Sequence, residues 1–353
     1  MLIALDFAIG PVREIVIAGR AGDAGTRRLL AEVRRRFLPN AVVLMALAAS
    51  PALAQSWPQK PVRLVVSGVA GGSLDIPARA VAEKLRDKLG QPVIVENRPA
   101  VGGTVAVGEV AKAAPDGYTM VMIANNLRLY PLMGAKLNFD PERDLVPVAA
   151  IASVPMLLVG TRKAPPGDVR ALIAQAKAAP GSINYGTPGY GSPHHLATAL
   201  FTTETGIALT HVPYKGTAPV LNDLLANQLE IAFLGLSSAI PHIKSGKLRA
   251  YGVAALKRSA IAPDMPTIAE NGGPKFDASY WYAIAVPKGT PSAIVERLSA
   301  EVLRLLARPA MHETFLKQGF EPMPGGAAEA AKLLSDEVTK WKRPIADANV
   351  RVE

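Results

Sequence analysis

Cysteine is absent from all 353 residues, so disulfides and thiolate-ligated metal sites are excluded. A chain without thiols suits an oxidising compartment without identifying one. Aromatic residues are scarce at 5%. No basic run is interleaved with them, so nucleic acid is not an expected partner. No apolar run is long enough to cross a bilayer comfortably. The five histidines offer no i,i+4 pair, so no metal site is expected. A G-x-S-x-G nucleophile elbow is missing, and no nucleophile–base set stands out. Neither a catalytic residue nor a cofactor is expected.

What is present is a long, apolar, basic chain. Apolar residues make up 49% and the formal charge is +10. The length accommodates two ordinary domains. Thirty glycines and thirty prolines are scattered rather than clustered, which is not a disordered composition. A mild positive field draws in small anions.

Residues 34–54 have the parts of a secretory leader. Arg34, Arg35 and Arg36 precede a mostly apolar stretch, and Ala52-Leu53-Ala54 fits the small-residue cleavage rule, leaving Gln55 as the mature N-terminus. The upstream residues 1–33 contain Asp6, Glu14, Asp23 and Glu32, which do not suit such a leader. Translation is therefore expected to start near Val33.

The mature chain is organised around residues 63–85. Leu64, Val65 and Val66 form a short apolar run suited to a buried strand. Gly68, Gly71 and Gly72 open the backbone, and helical periodicity begins at Asp75, the expected N-cap. A glycine loop entering a helix presents unpaired N–H groups, a natural seat for a carboxylate. A βα turn using glycine only for packing is an equal reading of this stretch. Residues 183–200 repeat the device, with Ser192 as cap and Pro193 in the first turn. Strands alternating with helices argue for an α/β fold with a largely parallel sheet. Two long apolar segments, 146–159 broken at Pro155 and 276–286, look like crossings between lobes. They place residues 55–157 with 281–353 in lobe I and 158–280 in lobe II.

Six motifs then recur in order: Trp57-Pro-x-Lys-Pro61, Ala70-Gly-Gly-Ser-x-Asp75, Val95-Glu-Asn-Arg-Pro99, Ala113-Ala-Pro-Asp-Gly-Tyr-Thr119, His211-Val-Pro-Tyr-Lys-Gly216 and Pro241-His-Ile-Lys-x-Gly-Lys-Leu-Arg-Ala250. Together they closely resemble the Bug receptors, the extracytoplasmic solute receptors of tripartite tricarboxylate transporters. The resemblance spans residues 57–353. It implies a two-lobed periplasmic binding protein of type II-like form, each lobe a central mixed sheet flanked by helices. It also implies a monomer that closes on a small carboxylate and passes it to membrane transporter subunits.

Carried over, the first wall would comprise Ser67, Gly68, Ala70, Gly71, Gly72, Ser73, Asp75 and Asn125. The second would run from Tyr185 through Gly186, Thr187 and Gly191 to Ser192 and include His195, with Gly235, Leu236 and Ser237 nearby. Family members commonly carry phenylalanine where Gly68 stands and aspartate where Leu234 stands. Both departures imply a ligand whose far end is bulkier and less polar than an acidic amino acid. An enzyme on the same scaffold is the alternative, because a fold does not fix a function.

Overall fold

The computed structural model describes residues 13–19, 24–35, 41–47, 57–98 and 103–352. Residues 1–59 form one compact unit and 60–353 another. In the first, β1 (Arg13–Gly19) and β2 (Ala41–Leu47) pair in parallel around α1 (Ala24–Arg35). The stretch read as the leader's apolar core thus contains a strand. The expected cleavage site lies outside the described residues.

The second unit begins with β3 (Val62–Val66), α2 (Asp75–Leu89), β4 (Val93–Asn97), α3 (Thr104–Ala111), β5 (Thr119–Ala124) and β6 (Leu145–Val154). There follow β7 (Met156–Gly160), α4 (Val169–Ala178), β8 (Asn184–Thr187), α5 (Pro193–Thr205), β9 (Thr210–Pro213), α6 (Thr217–Leu225), β10 (Ile231–Gly235), α7 (Leu236–Lys244) and β11 (Arg249–Val253). The chain ends with β12 (Tyr280–Pro287), α8 (Ser292–Leu306), α9 (Pro309–Lys317), β13 (Glu321–Gly325) and α10 (Ala327–Asp347).

Two mixed sheets result. The first has the order β13-β6-β12-β5-β3-β4 and the second β11-β7-β10-β8-β9. β3 runs parallel to β4 and β5, whereas β12 opposes β5 and β6. In the second sheet β8 is parallel to β9 and β10, and β7 opposes β10 and β11. Pro155 separates β6 from β7, strands of different sheets. Proline lacks the donor a ladder needs, so it suits the point where the chain leaves one sheet for the other. The chain returns between β11 and β12.

Helix faces follow the apolar spacing. In α8, Val295, Leu298, Val302 and Leu305 are buried at the three- and four-residue steps of one helical stripe. α10 does the same with Ala330, Leu334, Trp341 and Ile345, but Glu337 lies within the stripe. Its carboxylate accepts from the indole N–H groups of Trp281 and Trp341, which makes its burial tolerable. The beginning of α10 packs on the first sheet through Ala330 and Leu334. Its end joins a core that includes Leu196 and Phe201 of α5.

β13 was not evident from sequence. Pro322 and Pro324 interrupt it, and prolines in a strand are confined to edges. It is an edge strand here, bonded to β6.

Candidate functional site

The loop between β3 and α2 is folded by its own aspartate. Asp75 is the first residue of α2 rather than its cap; Leu74 holds the cap position without a side-chain bond. Asp75 is 1% exposed. It accepts from Gly71 N at 2.8 Å, Arg79 Nε at 2.7 Å and Asn97 Nδ2 at 2.8 Å. Burial alone would raise its pKa, but the bonds from Arg79, Gly71 and Asn97 bring it below the usual value. Asn97 also donates to Gly68 O at 3.1 Å. Gly72 N donates to Val69 O at 3.1 Å. The N–H groups of Gly71 and Gly72, expected to face a ligand, are therefore used inside the loop. Among the described residues, its backbone bonds leave those of Ser73 and Leu74, at the start of α2, unused.

The loop between β8 and α5 is built as the sequence implied. Ser192 accepts from His195 N at 3.2 Å with Pro193 in the first turn. Gly191 has φ +68°, a conformation that favours glycine. It donates its N–H to His195 Nδ1 at 3.2 Å, which assigns the ring proton of a neutral His195 to Nε2. Behind the loop stands a column of rings. Tyr185 stacks on His211 at 4.8 Å, and His211 on His195 at 4.2 Å. Burial, and secondarily His211, pushes the His195 pKa down to about 3. Burial lowers His211 as well. Both imidazoles are neutral near pH 7, so neither supplies a cation to an anionic ligand. His211 Nε2 lies 2.7 Å from Thr187 Oγ1. The stacking of His195 on α5 against His211 on β9 left no trace in the spacing of histidines.

Several expected wall residues serve packing. Leu236 is buried in the second sheet's core, and its N–H goes to Pro155 O at 2.9 Å. Leu234, expected in the pocket, is 1% exposed in the same core. The ligand argument built on it loses its premise. Gly186 keeps space for Leu229: a Cβ there would lie 2.4 Å from Leu229 Cδ1. Tyr185 and Thr187 are buried behind the loop. Asn125 is buried and donates to Ser279 O at 3.4 Å. Gly235 caps α7, and Ser237 stands against Gly319, where a Cβ would meet Ser237 Oγ at 2.3 Å.

Two cavities flank the first loop. Ala70, Gly71 and Asp75 border one of about 680 Å³, between α2 and the α8–α9 corner. The larger, about 990 Å³, draws its walls from loops at the ends of both sheets. Of the expected residues, Ser67 and Ser192 line this cleft. Asn126, next to the expected Asn125, and Tyr190, between the expected Tyr185 and Ser192, line it too; Tyr130, Lys136, Lys215 and Tyr280 join them and were missed. So do Gly103 and Thr104, where a third glycine-to-helix start was legible but not taken as a site. A Cβ on Gly103 would lie 2.7 Å from Ser67 Oγ, so the two loops touch. Lys136 and Lys215 bring positive charge to the lining, and no aspartate or glutamate among the described residues joins them.

The family model for the tripartite tricarboxylate transporter family receptor, TctC, matches residues 77–350. The chain is a member of this receptor family. Protein BugT of Bordetella pertussis is 36% identical to the receptor over 311 residues, covering 86% of it and 94% of BugT. Among solved structures, a protein of R. palustris with adipate is 33% identical, with TM-score 0.73, covering 84% of the receptor and 99% of that chain. MatC from Rhodopseudomonas palustris with bound malate is 31% identical, with TM-score 0.70, covering 82% and 100%. The periplasmic binding protein BugD is similar at 32% identity and TM-score 0.70, covering 84% and 100%. The receptor has the two-lobed fold of periplasmic binding proteins.

Proposed function

We propose that the receptor captures a small carboxylate in the cleft between its two sheets and presents it to the membrane subunits of a tripartite tricarboxylate-type transporter. The carrying observation is the cleft's charge: Lys136 and Lys215 line it, and no acidic residue among the described residues joins them. Ser67 and Ser192 offer hydroxyls, and the starts of α2 and α5 offer the positive ends of helices. The adipate and malate bound by its relatives are acids of this kind. No chemical step is needed for such capture, and the receptor acts as a binding protein rather than an enzyme.

The proposal includes an architecture and a route. The expected bounds shift at the crossings, since Met156 and Leu157 pair in the second sheet and Tyr280 in the first: residues 55–155 with 280–353 make lobe I and 156–279 make lobe II, with the end of α10 reaching across to α5. The receptor is exported through its leader, cleaved after Ala54, and works as a periplasmic monomer. N-terminal sequencing of the exported protein is expected to begin at Gln55; retention of residues 1–30 overturns this.

The binding test is a thermal-shift screen of di- and tricarboxylates, amino acids and aromatic acids. A ligand at about 100 times its Kd adds about 2.7 kcal/mol of stability. Lys136→Met with Lys215→Met is expected to weaken the best acid at least tenfold without lowering the melting temperature. A screen in which no acid stabilises the protein, or a double variant that binds normally, refutes the reading.

A further inference from the structure

Tyr190 is 57% exposed although it sits in the wall of the cleft. Its ring is nevertheless packed against two imidazoles. It meets His211 edge-on at 5.0 Å and His195 at 5.7 Å. Those imidazoles are themselves held, His211 by Thr187 and the Tyr185 stack, His195 by Gly191. Aromatic rings bind well when held in place before the ligand arrives, because little side-chain freedom is then lost. The exposed ring therefore has a rigid back and an accessible front.

The remaining lining shows what the front is for. Leu74, Val107, Ile123, Leu127 and Leu137 give the cleft an apolar wall from the first sheet's side. A C4 hydroxy-diacid leaves such a wall with nothing apolar to cover. A flat apolar body joined to a carboxylate satisfies both the wall and the lysines, since ligand sites combine apolar surface with a few placed polar groups.

We propose that Tyr190 is a ring-stacking, specificity-determining residue and that the captured solute is an aromatic carboxylate. This rests on the carboxylate reading above and narrows it. Aromatic pairs prefer offset or edge-to-face geometry and add to affinity beyond area burial.

The test is calorimetric titration of the purified protein with benzoate, phenylacetate, cyclohexanecarboxylate, adipate and malate. Benzoate or phenylacetate is expected to bind tighter than the saturated ring acid, and both tighter than malate. Tyr190→Phe should keep this order. Tyr190→Leu should weaken the aromatic acids roughly three- to tenfold and leave cyclohexanecarboxylate within about twofold. Melting curves of both variants should match the parent, because the ring is exposed. Tightest binding of malate or adipate overturns the proposal while carboxylate capture stands, as does a Tyr190→Leu variant that weakens every acid alike or none. If no acid binds at all, the capture reading fails and this one with it.

Discussion

His195 illustrates how burial decides what a single side chain offers. It is 5% exposed, bonded at Nδ1 and stacked on a second imidazole. Its folded pKa of about 3 lies below the ordinary histidine value. The sign of the linkage follows from that. Below about pH 6.5 the unfolded chain takes up a proton that the folded chain refuses, so stability falls with pH until about pH 3. The limiting slope is about 1.4 kcal/mol per pH unit for one such group. His195→Asn keeps an acceptor for Gly191 N–H and removes the titration. Urea unfolding at about pH 7 and about pH 5 should then show a shallower loss than in the parent. Equal losses would mean that His195 does protonate in the fold. Asp75 carries the same lesson with opposite polarity: a charged residue in a glycine loop spends its charge on Gly71, Arg79 and Asn97.

At the scale of elements, the two strand–glycine–helix devices look alike in sequence and differ in what surrounds them. Gly71 and Gly191 have similar φ, +73° and +68°. Alanine at either costs about 1 kcal/mol for the left-handed backbone. Beyond that they part. A Cβ on Gly71 meets nothing within 4 Å, whereas one on Gly191 would lie 2.2 Å from Val352 Cγ1. Gly191→Ala should therefore lose roughly 1–3 kcal/mol more than Gly71→Ala, because overpacking adds to the backbone strain. Denaturant unfolding of the two variants measures the difference directly. Equal stabilities would show that Val352 moves aside freely.

At the scale of the molecule, α10 connects what the crossings at Pro155 and between β11 and β12 divide. Its first half belongs to the core of β5, β12 and α3, and Trp341 and Ile345 belong to the core around α5. Trp341→Ala removes a buried indole and leaves one Glu337 oxygen without its donor. A loss of about 3–5 kcal/mol is expected. Calorimetry should also show a broader melting transition than the parent gives, since the link between the cores is weakened. A variant melting as sharply as the parent would mean that the sheets are coupled elsewhere.

By itself the sequence determined the family, the α/β order and most element positions. Those depend on local signals: apolar periodicity, glycine at helix entries, Ser192 before Pro193, and Pro155 between two apolar runs. Six ordered motifs implied a carboxylate receptor before any coordinates. Only the tertiary structure decided which side of each loop meets the cleft. Ile231, Ala232, Phe233 and Leu234 are all buried, so alternation along β10 could not show which face Leu234 takes; a strand covered on both faces reads as one continuous apolar run. Asp75 needed Asn97 from another strand to reveal its role, and Tyr190 needed His195 and His211 brought together behind it. Local pattern specifies elements because neighbours along the chain act through short-range sterics. A binding wall is assembled from residues far apart in the chain, and only packing decides which of their atoms remain unspent.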